Sequence, residues 1–503
     1  MSDEDSGVGQ AEDGESGPNG ETESEELCRK WHQISLALIA NLGMFIIGQV
    51  NAHAGAILPD VEKEIAMGTT EKSLFASLIY LGSVVGAIMT AWTTESLGRK
   101  KSILLGTVNV LIGTLLICVA EQSWMLLLGM AIGGIGFGSH IVQVPIYCNE
   151  ITQPLLRPTV STFSIISLSV GFASVHVMHT FLEWRWMLAV CCIICAISFI
   201  AKIIFLPESH IWLLEKSKTA AAKSVLLKMR GNEAVALADM KRAEDNIARR
   251  MEFTRKSGRN AFVQFLMLFR VSTFAQPFAI SLVVNLAFAI TGIVIINAYF
   301  VELLIEAHTC AIKDMKIVSA VVTSGRLVIA FLSLLYTKKV KRKRLLIVTL
   351  FICGLGTTVL TVFYLANNKG KLNEVWCGFA WSPVVGYALV YIGFAGGCGQ
   401  TVIAIAGEIL PANARGFGSG LMNAVIELVN FGTTAVVPTV QEHWGTGYVF
   451  LICTICNVAL IIFIIVCVPE TFGKTLEEVE QHFRDRSRRT RTRQTSSPCN
   501  GGL

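Results

Sequence analysis

Long apolar segments separated by short polar ones recur along the whole chain. Each is about twenty residues long, the length that an α-helix needs to cross the hydrocarbon core of a bilayer. The pattern predicts an all-α polytopic membrane protein with about twelve transmembrane helices in two six-helix halves. The segments cover residues 33–58, 74–95, 102–120, 124–147, 161–182 and 187–206, and then 277–303, 316–336, 345–366, 380–405, 417–440 and 447–468.

The polar stretches outside these spans divide the chain into five parts. The first 26 residues are acidic, rich in Gly and Ser and nearly free of bulky apolar side chains, a composition typical of disorder. The charged stretch in the middle has helical patterning. We expect an acidic disordered cytoplasmic tail over 1–32, a first half over 33–206, a cytoplasmic helical linker over 207–270, a second half over 271–468 and a basic cytoplasmic tail over 469–503.

Composition agrees with a membrane chain and sets its orientation. Hydrophobic residues make up 52% of the sequence and charged residues only 16%. Lysines and arginines are concentrated in the loop at residues 99–101, the loop at 338–344 and the segment after Arg484. Because basic loops face the cytoplasm, an even number of spans leaves both termini inside. The net charge of +5 belongs to this asymmetry and does not indicate nucleic acid as a partner.

Charged motifs occur twice in the same order. Glu150 is followed seven residues later by Arg157, and Glu408, which lies 258 residues further on, is followed at the same spacing by Arg415. Pro207-Glu208-Ser209 closes one hydrophobic block and Pro469-Glu470-Thr471 closes another, 262 residues later. In a membrane chain, repeated signatures at one period indicate a transporter built from two related halves.

The sequence does not support an enzyme or an ATP-driven pump. It contains no Gly-rich phosphate loop that ends in Gly-Lys-Ser/Thr. It also shows no His, Cys and carboxylate cluster at metal-ligand spacing and no nucleophile beside an obvious base. We therefore expect no cofactor and no metal.

The duplicated charges predict a gate at the cytoplasmic mouth. Glutamates and arginines at facing helix ends can pair across the gap between the halves, and such pairs would close the inner side in an outward-facing form. The alternative is topological, because charges flank a span that they cannot enter. The expected gate residues are Glu95, Arg99, Glu150, Arg157, Glu408 and Arg415.

In this order and spacing, the motifs resemble those of the sugar porter family of the major facilitator superfamily, over roughly residues 33–483. Facilitated trehalose and hexose transporters are the most similar kind. The matching pieces are Leu97 to Lys101, Tyr147 to Arg157, Pro207 to Leu214, Gly407 to Gly416 and Pro469 to Glu478. The resemblance implies two packed six-helix halves, alternating access, a sugar as the partner and a place in the plasma membrane.

The sequence departs from the family where a sugar would bind. The family usually shows two glutamines before a Ser/Thr-Gly pair in span seven and an asparagine after it, whereas this chain has apolar Phe288, Ala289 and Val294 around Thr291. In span ten, the family's Gly-Pro and following tryptophan are replaced by the segment that begins Gly399-Gln400. Each lost hydrogen bond to a sugar hydroxyl costs about 1 to 3 kcal/mol, so we do not expect a standard hexose pocket.

Other polar residues could line the cavity instead. The candidates are His140, Gln143, Asn285 and Gln400, with Phe288 and Thr291 at the break in span seven. For each polar candidate, the alternative is an interhelical hydrogen bond without a role in transport.

Two ionisable residues lie in mid-span, Arg326 in span eight and Glu427 in span eleven. A charge at that depth is costly, and it normally faces the bundle interior or a water-filled cavity. We expect a substrate or proton role for them, or a structural pair between them, or snorkelling.

The sequence thus predicts a transporter that moves a sugar or a sugar-like solute by facilitated alternating access. Two alternatives stay open. One is uniport or proton symport of a different small organic solute, and the other is a transport-inactive sensor or scaffold.

Overall fold

A computed structural model describes residues 23–470 apart from 154, 258–271, 308–313, 337–338, 368–380 and 410–414. Within this part the first half contains α1 (Glu23–Glu64), α2 (Thr69–Ser96), α3 (Arg99–Cys118), α4 (Ser123–Ile151), α5 (Arg157–Phe181) and α6 (Trp184–Phe205). The linker contains α7 (His210–Glu215), α8 (Thr219–Arg230) and α9 (Glu233–Ser257). The second half contains α10 (Ser272–Ala289), α11 (Ile293–Glu306), α12 (Met315–Tyr336), α13 (Arg342–Asn367), α14 (Ser382–Gly393), α15 (Gly399–Ile409), α16 (Arg415–Trp444) and α17 (Thr446–Cys467).

The all-α prediction is confirmed. Eleven helical segments of the described chain are long and apolar enough to cross a membrane. The seventh predicted span is divided into α10 and α11, which meet at Thr291-Gly292. Gly292 has a φ of 99°, a left-handed conformation that glycine adopts without steric cost.

Span ten is also irregular. A five-residue π-helical segment, Phe394–Cys398, separates α14 from α15, and Gly397 within it has a φ of 145°. Such π segments inside α-helices frequently mark functional sites. The two irregular spans, seven and ten, are the ones in which the sequence departs from the sugar porter pattern.

The first helix begins earlier than predicted. Residues 23–32 are helical and continue directly into the first span, so the prediction of a disordered tail that extends to residue 32 is wrong for this stretch. The acidic composition that suggested disorder, Glu-Ser-Glu-Glu at the start of α1, is also typical of the amino end of a helix.

The helices of each half pack closely at glycines, which have no side chain to separate the two backbones. A Cβ atom at Gly48 of α1 would overlap the carbonyl oxygen of Leu168, and one at Gly171 of α5 would overlap that of Phe45. The glycines therefore let the backbones of α1 and α5 touch in both directions. Small residues serve this purpose in bilayers, where lipid tails leave little hydrophobic force to bring helices together.

The two halves meet along three helix pairs, α1 with α11, α2 with α16 and α5 with α12. We name the two ends of the bundle by the residues that they carry, the Asp60 side and the Arg99 side. Near the Asp60 side, a Cβ at Gly55 of α1 would overlap the carbonyl oxygen of Asn297 in α11. Ser73 of α2 donates to the carbonyl of Ala435 in α16 at 2.5 Å.

Candidate functional site

A buried charge network lies on the Arg99 side of the first half. Arg99 is the first residue of α3, and its side chain is only 7% exposed. Its Nε donates to Glu150 at the end of α4 at 3.2 Å, and its Nη1 donates to Glu215 of α7 at 3.1 Å. Ser209 also donates to the Glu150 carboxylate. The network ties α3, α4 and the linker into one unit.

Glu208 has a role in this network that sequence reasoning missed. Its Oε1 accepts hydrogen bonds from the backbone N–H groups of Arg99 at 2.8 Å and Lys100 at 3.1 Å. These groups open α3, whose first amides have no partner inside the helix. The carboxylate, on the segment that follows α6, therefore caps α3 and is favourably placed for the helix dipole. Its position between a proline and a serine after span six was the signal, but the sequence does not show which helix it reaches.

The linker residue His210 lies beside the network, outside the spans. Burial lowers the pKa of its imidazole to about 4, and the nearby positive charge of Arg230 acts in the same direction. His210 is therefore neutral at pH 7 and adds no further positive charge beside Arg99.

The described contacts of Arg99, Glu150 and Arg157 lie inside the first half and the linker. Glu150 pairs with Arg99, and Arg157 donates to the carbonyl of Asn149 at 3.1 Å. The backbone carbonyl of Glu95 accepts from the indole of Trp212. The side chains of Glu408 and Arg415 lie outside the described part of the chain, so the expected pairs between the halves stay a prediction.

The Asp60 side carries an ion pair that joins the halves and that the sequence reasoning did not anticipate. Lys316 of α12 donates to Asp60 of α1 at 2.5 Å. Within the first half, Asp60 also contacts His179 at 2.9 Å and Lys63 at 2.9 Å. The apolar stretch of span one was expected to end at residue 58, but α1 continues to Glu64 and carries Asp60 against the second half.

The predicted cavity residues of span four face the interior of the first half instead. His140 is fully buried against α3, where its Nε2 lies 3.1 Å from the Thr107 hydroxyl. Gln143 accepts a hydrogen bond from Thr94 of α2 at 2.6 Å. The cavity assignment is wrong for these two residues because both satisfy their polar atoms through helix neighbours within the half.

Lys202 of α6 completes the polar cluster around His140. Its side chain is fully buried, and its Nζ donates to the Thr107 hydroxyl at 2.9 Å. Sequence reasoning missed this lysine because it lies near the end of a span, where snorkelling is the usual expectation.

The candidates of the second half lie apart from one another. Asn285 is buried and donates to the Ser281 carbonyl one turn earlier at 2.7 Å. Gln400 donates to the Ser333 hydroxyl of α12 at 3.2 Å. Thr291 is buried at the break, and its carbonyl accepts from Asn457 at 3.2 Å. The side chain of Phe288 lies outside the described part.

The two mid-span ionisable residues are buried but not paired with each other. Glu427 of α16 is 5% exposed and accepts from Asn430 at 3.3 Å. Arg326 of α12 is 3% exposed, and its Nη1 donates to Asn297 at 3.4 Å. The structural pair, one of the three alternatives, is not formed because α16 packs on α2 while α12 packs on α5.

Aromatic rings from both halves surround Arg326. Its guanidinium carbon lies 4.7 Å from the ring centre of Phe172 in α5, 5.0 Å from Phe394 and 5.3 Å from Tyr391. The ring of Phe300 in α11 contacts that of Tyr391 at a centroid distance of 5.4 Å. Arg326 therefore lies at the junction of the halves, next to both irregular spans.

The sequence comparisons identify the family. The family described as "Sugar (and other) transporter" matches residues 36–483. The chain belongs to this family. It is a multi-pass membrane transporter and not an enzyme, as the sequence predicted.

The relatives of this transporter include named sugar carriers. It is 27% identical to the human protein "Solute carrier family 2, facilitated glucose transporter member 6", over 88% of this chain and 90% of the other. It is 26% identical to "Facilitated trehalose transporter Tret1" of Culex quinquefasciatus, over 91% of this chain and 87% of the other. The chain spans 57% of the Tret1 protein of Anopheles gambiae, also at 26% identity over 91% of this chain.

Solved structures show the same fold. The inward open conformation of the xylose transporter XylE from E. coli aligns with a TM-score of 0.73 at 18% identity, over 90% of this chain and 99% of that one. XylE bound to 6-bromo-6-deoxy-D-glucose aligns with a TM-score of 0.70 at 19% identity, over the same shares of the two chains.

Replacing Arg99 should destabilise the first half strongly. Arg99→Gln removes the cation that contacts two mostly buried carboxylates, Glu150 and Glu215, and breaking a buried pair costs about 3 to 5 kcal/mol. We expect a clear fall in the melting temperature of the purified protein in detergent. Lys101→Gln, an exposed neighbour, is the matched control and should change stability by less than about 0.5 kcal/mol. Equal melting temperatures for the two variants would show that the network does not hold the half together.

Replacing Lys316 should loosen the Asp60 side. Lys316→Gln removes the ion pair between the halves, and loss of about 1 kcal/mol would change the ratio of open to closed forms about fivefold. Ser77 is buried one helical turn after Ser73 in α2. In a variant that carries Cys at this position in a cysteine-depleted background, we expect the thiol to react about fivefold faster with a membrane-impermeant reagent when Lys316 is also replaced. Lys63→Gln removes a partner of Asp60 from the same half and is the control. Equal acceleration by both changes would exclude a gate role for the pair between the halves.

Proposed function

We propose that this transporter moves a sugar or a sugar-like polyhydroxylated solute down its gradient across the plasma membrane by alternating access. The observation that carries the proposal is the match to the sugar transporter family over nearly all of both halves. The printed names of the relatives, facilitated glucose and trehalose transporters, support a facilitative mode and a sugar as the solute class.

The contacts between the halves support a specific state of the transport cycle. On the Asp60 side, an ion pair, a backbone contact and the Ser73 hydrogen bond join the halves. On the Arg99 side, Arg99, Glu150 and Arg157 keep their described contacts within the first half and the linker. If the basic loops and both termini lie in the cytoplasm, as the sequence predicts, these contacts support an inward-facing form. The gate residues Glu408 and Arg415 would join the first-half network when the inner side closes.

A second candidate is transport of a different small organic solute. The apolar replacements at Ala289 and Val294, both buried, favour it over a standard hexose carrier. The burial of Glu427 beside Asn430 is compatible with a proton-coupled variant of the same mechanism.

Uptake into proteoliposomes tests the proposal. We expect the full-length protein to give saturable uptake of at least one solute from a panel of trehalose, hexoses, pentoses, polyols and sugar acids, with no accumulation beyond the outside concentration. A protonophore should leave the rate unchanged, because the mode is facilitative. Empty liposomes and L-glucose are the controls.

Two results would overturn the proposal in different ways. Uptake equal to that of empty liposomes for the whole panel would favour a sensor or scaffold. Accumulation that collapses on addition of the protonophore would establish proton symport.

A further inference from the structure

The junction of the halves contains a buried cation that no described acidic group neutralises. Arg326 is 3% exposed, and its one described hydrogen bond goes to the neutral amide of Asn297. No carboxylate of the described residues contacts it. A buried guanidinium without an anion carries a large desolvation cost that aromatic faces offset only in part. This contrasts with Arg99, which is equally buried but contacts two carboxylates.

Several polar atoms close to Arg326 also have no hydrogen-bond partner among the described residues. They are the Nε of Arg326 itself, the hydroxyl of Tyr391 and both ring nitrogens of His176. Tyr391 contacts the guanidinium through its ring, and His176 packs on Phe172 at a centroid distance of 5.1 Å. Buried polar groups in native proteins are normally paired, so a cluster of unpaired ones indicates a site that completes its bonds with a ligand.

The cluster is made by both halves. Phe172 and His176 come from α5, Phe300 from α11, Arg326 from α12 and Tyr391 from α14. Transporters of two-half architecture bind their solutes near the bilayer midplane between the repeats. The position of the cluster therefore matches a solute site, whereas the Lys202 cluster is enclosed within one half.

We propose that Arg326 is the anion-binding residue of the solute site, and that the transported solute is a polyhydroxylated compound with one carboxylate, a sugar acid. This rests on the proposed function and narrows its solute class. The Nε–H and an Nη–H of the guanidinium would bind the carboxylate in a bidentate pair, with the Tyr391 hydroxyl and His176 within the same cluster. The aromatic rings would pack against the sugar ring. A phosphate ester fits less well because its two charges would require a second cation, and no other Lys or Arg of the described chain contacts the cluster.

The apolar replacements in span seven agree with this solute class. Losing amides weakens the recognition of neutral hydroxyls, while a charge-assisted pair supplies more free energy than a neutral hydrogen bond. A single arginine can therefore replace several amides as the main source of affinity.

The test compares closely related ligands with and without a negative charge, with wild-type full-length protein. D-glucuronate and its neutral methyl ester have the same ring and hydroxyls, and D-glucose lacks the carboxyl group. We expect D-glucuronate to stabilise the protein and to saturate uptake at a concentration at least about tenfold lower than the methyl ester, as loss of a charged hydrogen bond implies. Arg326→Gln should reduce that ratio to near one. Arg242→Gln, an exposed arginine of α9, is the matched control and should preserve the ratio.

The possible failures are distinguishable. If wild-type protein takes up neutral sugars and treats D-glucuronate and its ester alike, the anion site is wrong and the proposed sugar transport stands. If it neither binds nor takes up any member of the pair or D-glucose, D-galacturonate, D-gluconate or trehalose, the proposed function fails together with the anion site. An unstable Arg326→Gln protein leaves the test intact, because the wild-type comparison of acid and ester decides it.

Discussion

The contact between the two halves near Asp60 is the constraint on which the rest of the arrangement depends. Gly55 brings the backbone of α1 against that of α11, and the Asp60–Lys316 pair and the Ser73 hydrogen bond add polar contacts at the same end. Each polar contact is individually weak, about 1 kcal/mol or less for a partly exposed pair. Contacts of this strength can stabilise one conformation of a transporter and still break during the cycle, because the conformations of a protein differ by only a few kcal/mol in free energy.

The first half is held more firmly than the interface between the halves. Glycines let α1 and α5 approach to backbone contact, and Arg99 joins α3, α4 and α7 through buried carboxylates. The Glu208 cap fastens the loop after α6 to the start of α3. Rigid halves with a weaker interface favour movement of one half against the other over deformation within a half. Arg326, which has no acidic partner among the described residues, lies between rings of both halves, where this movement would change its surroundings.

The large-scale architecture could be predicted from the sequence, and the orientation of side chains around each helix could not. Hydropathy predicts the positions of the membrane spans because the thickness of the bilayer fixes the length of each apolar segment. The break at Thr291-Gly292 was visible as a Thr-Gly pair. His140 and Gln143 were placed in the cavity because they lie mid-span, yet they face helix neighbours in their own half. Glu208 and Asp60 make contacts across 109 and 256 residues of sequence, which local patterns do not encode.

Distances between spin labels on the two halves test the account most directly. One pair, at Thr70 and Glu442, reports on the Asp60 side, and a second pair, at Lys101 and Lys341, reports on the Arg99 side; all four residues are exposed. The account predicts that pulsed electron paramagnetic resonance in liposomes shows opposite changes. Any condition that lengthens the first distance should shorten the second. Two distances that lengthen together, or that stay fixed while solute is transported, would contradict alternating access by rigid halves.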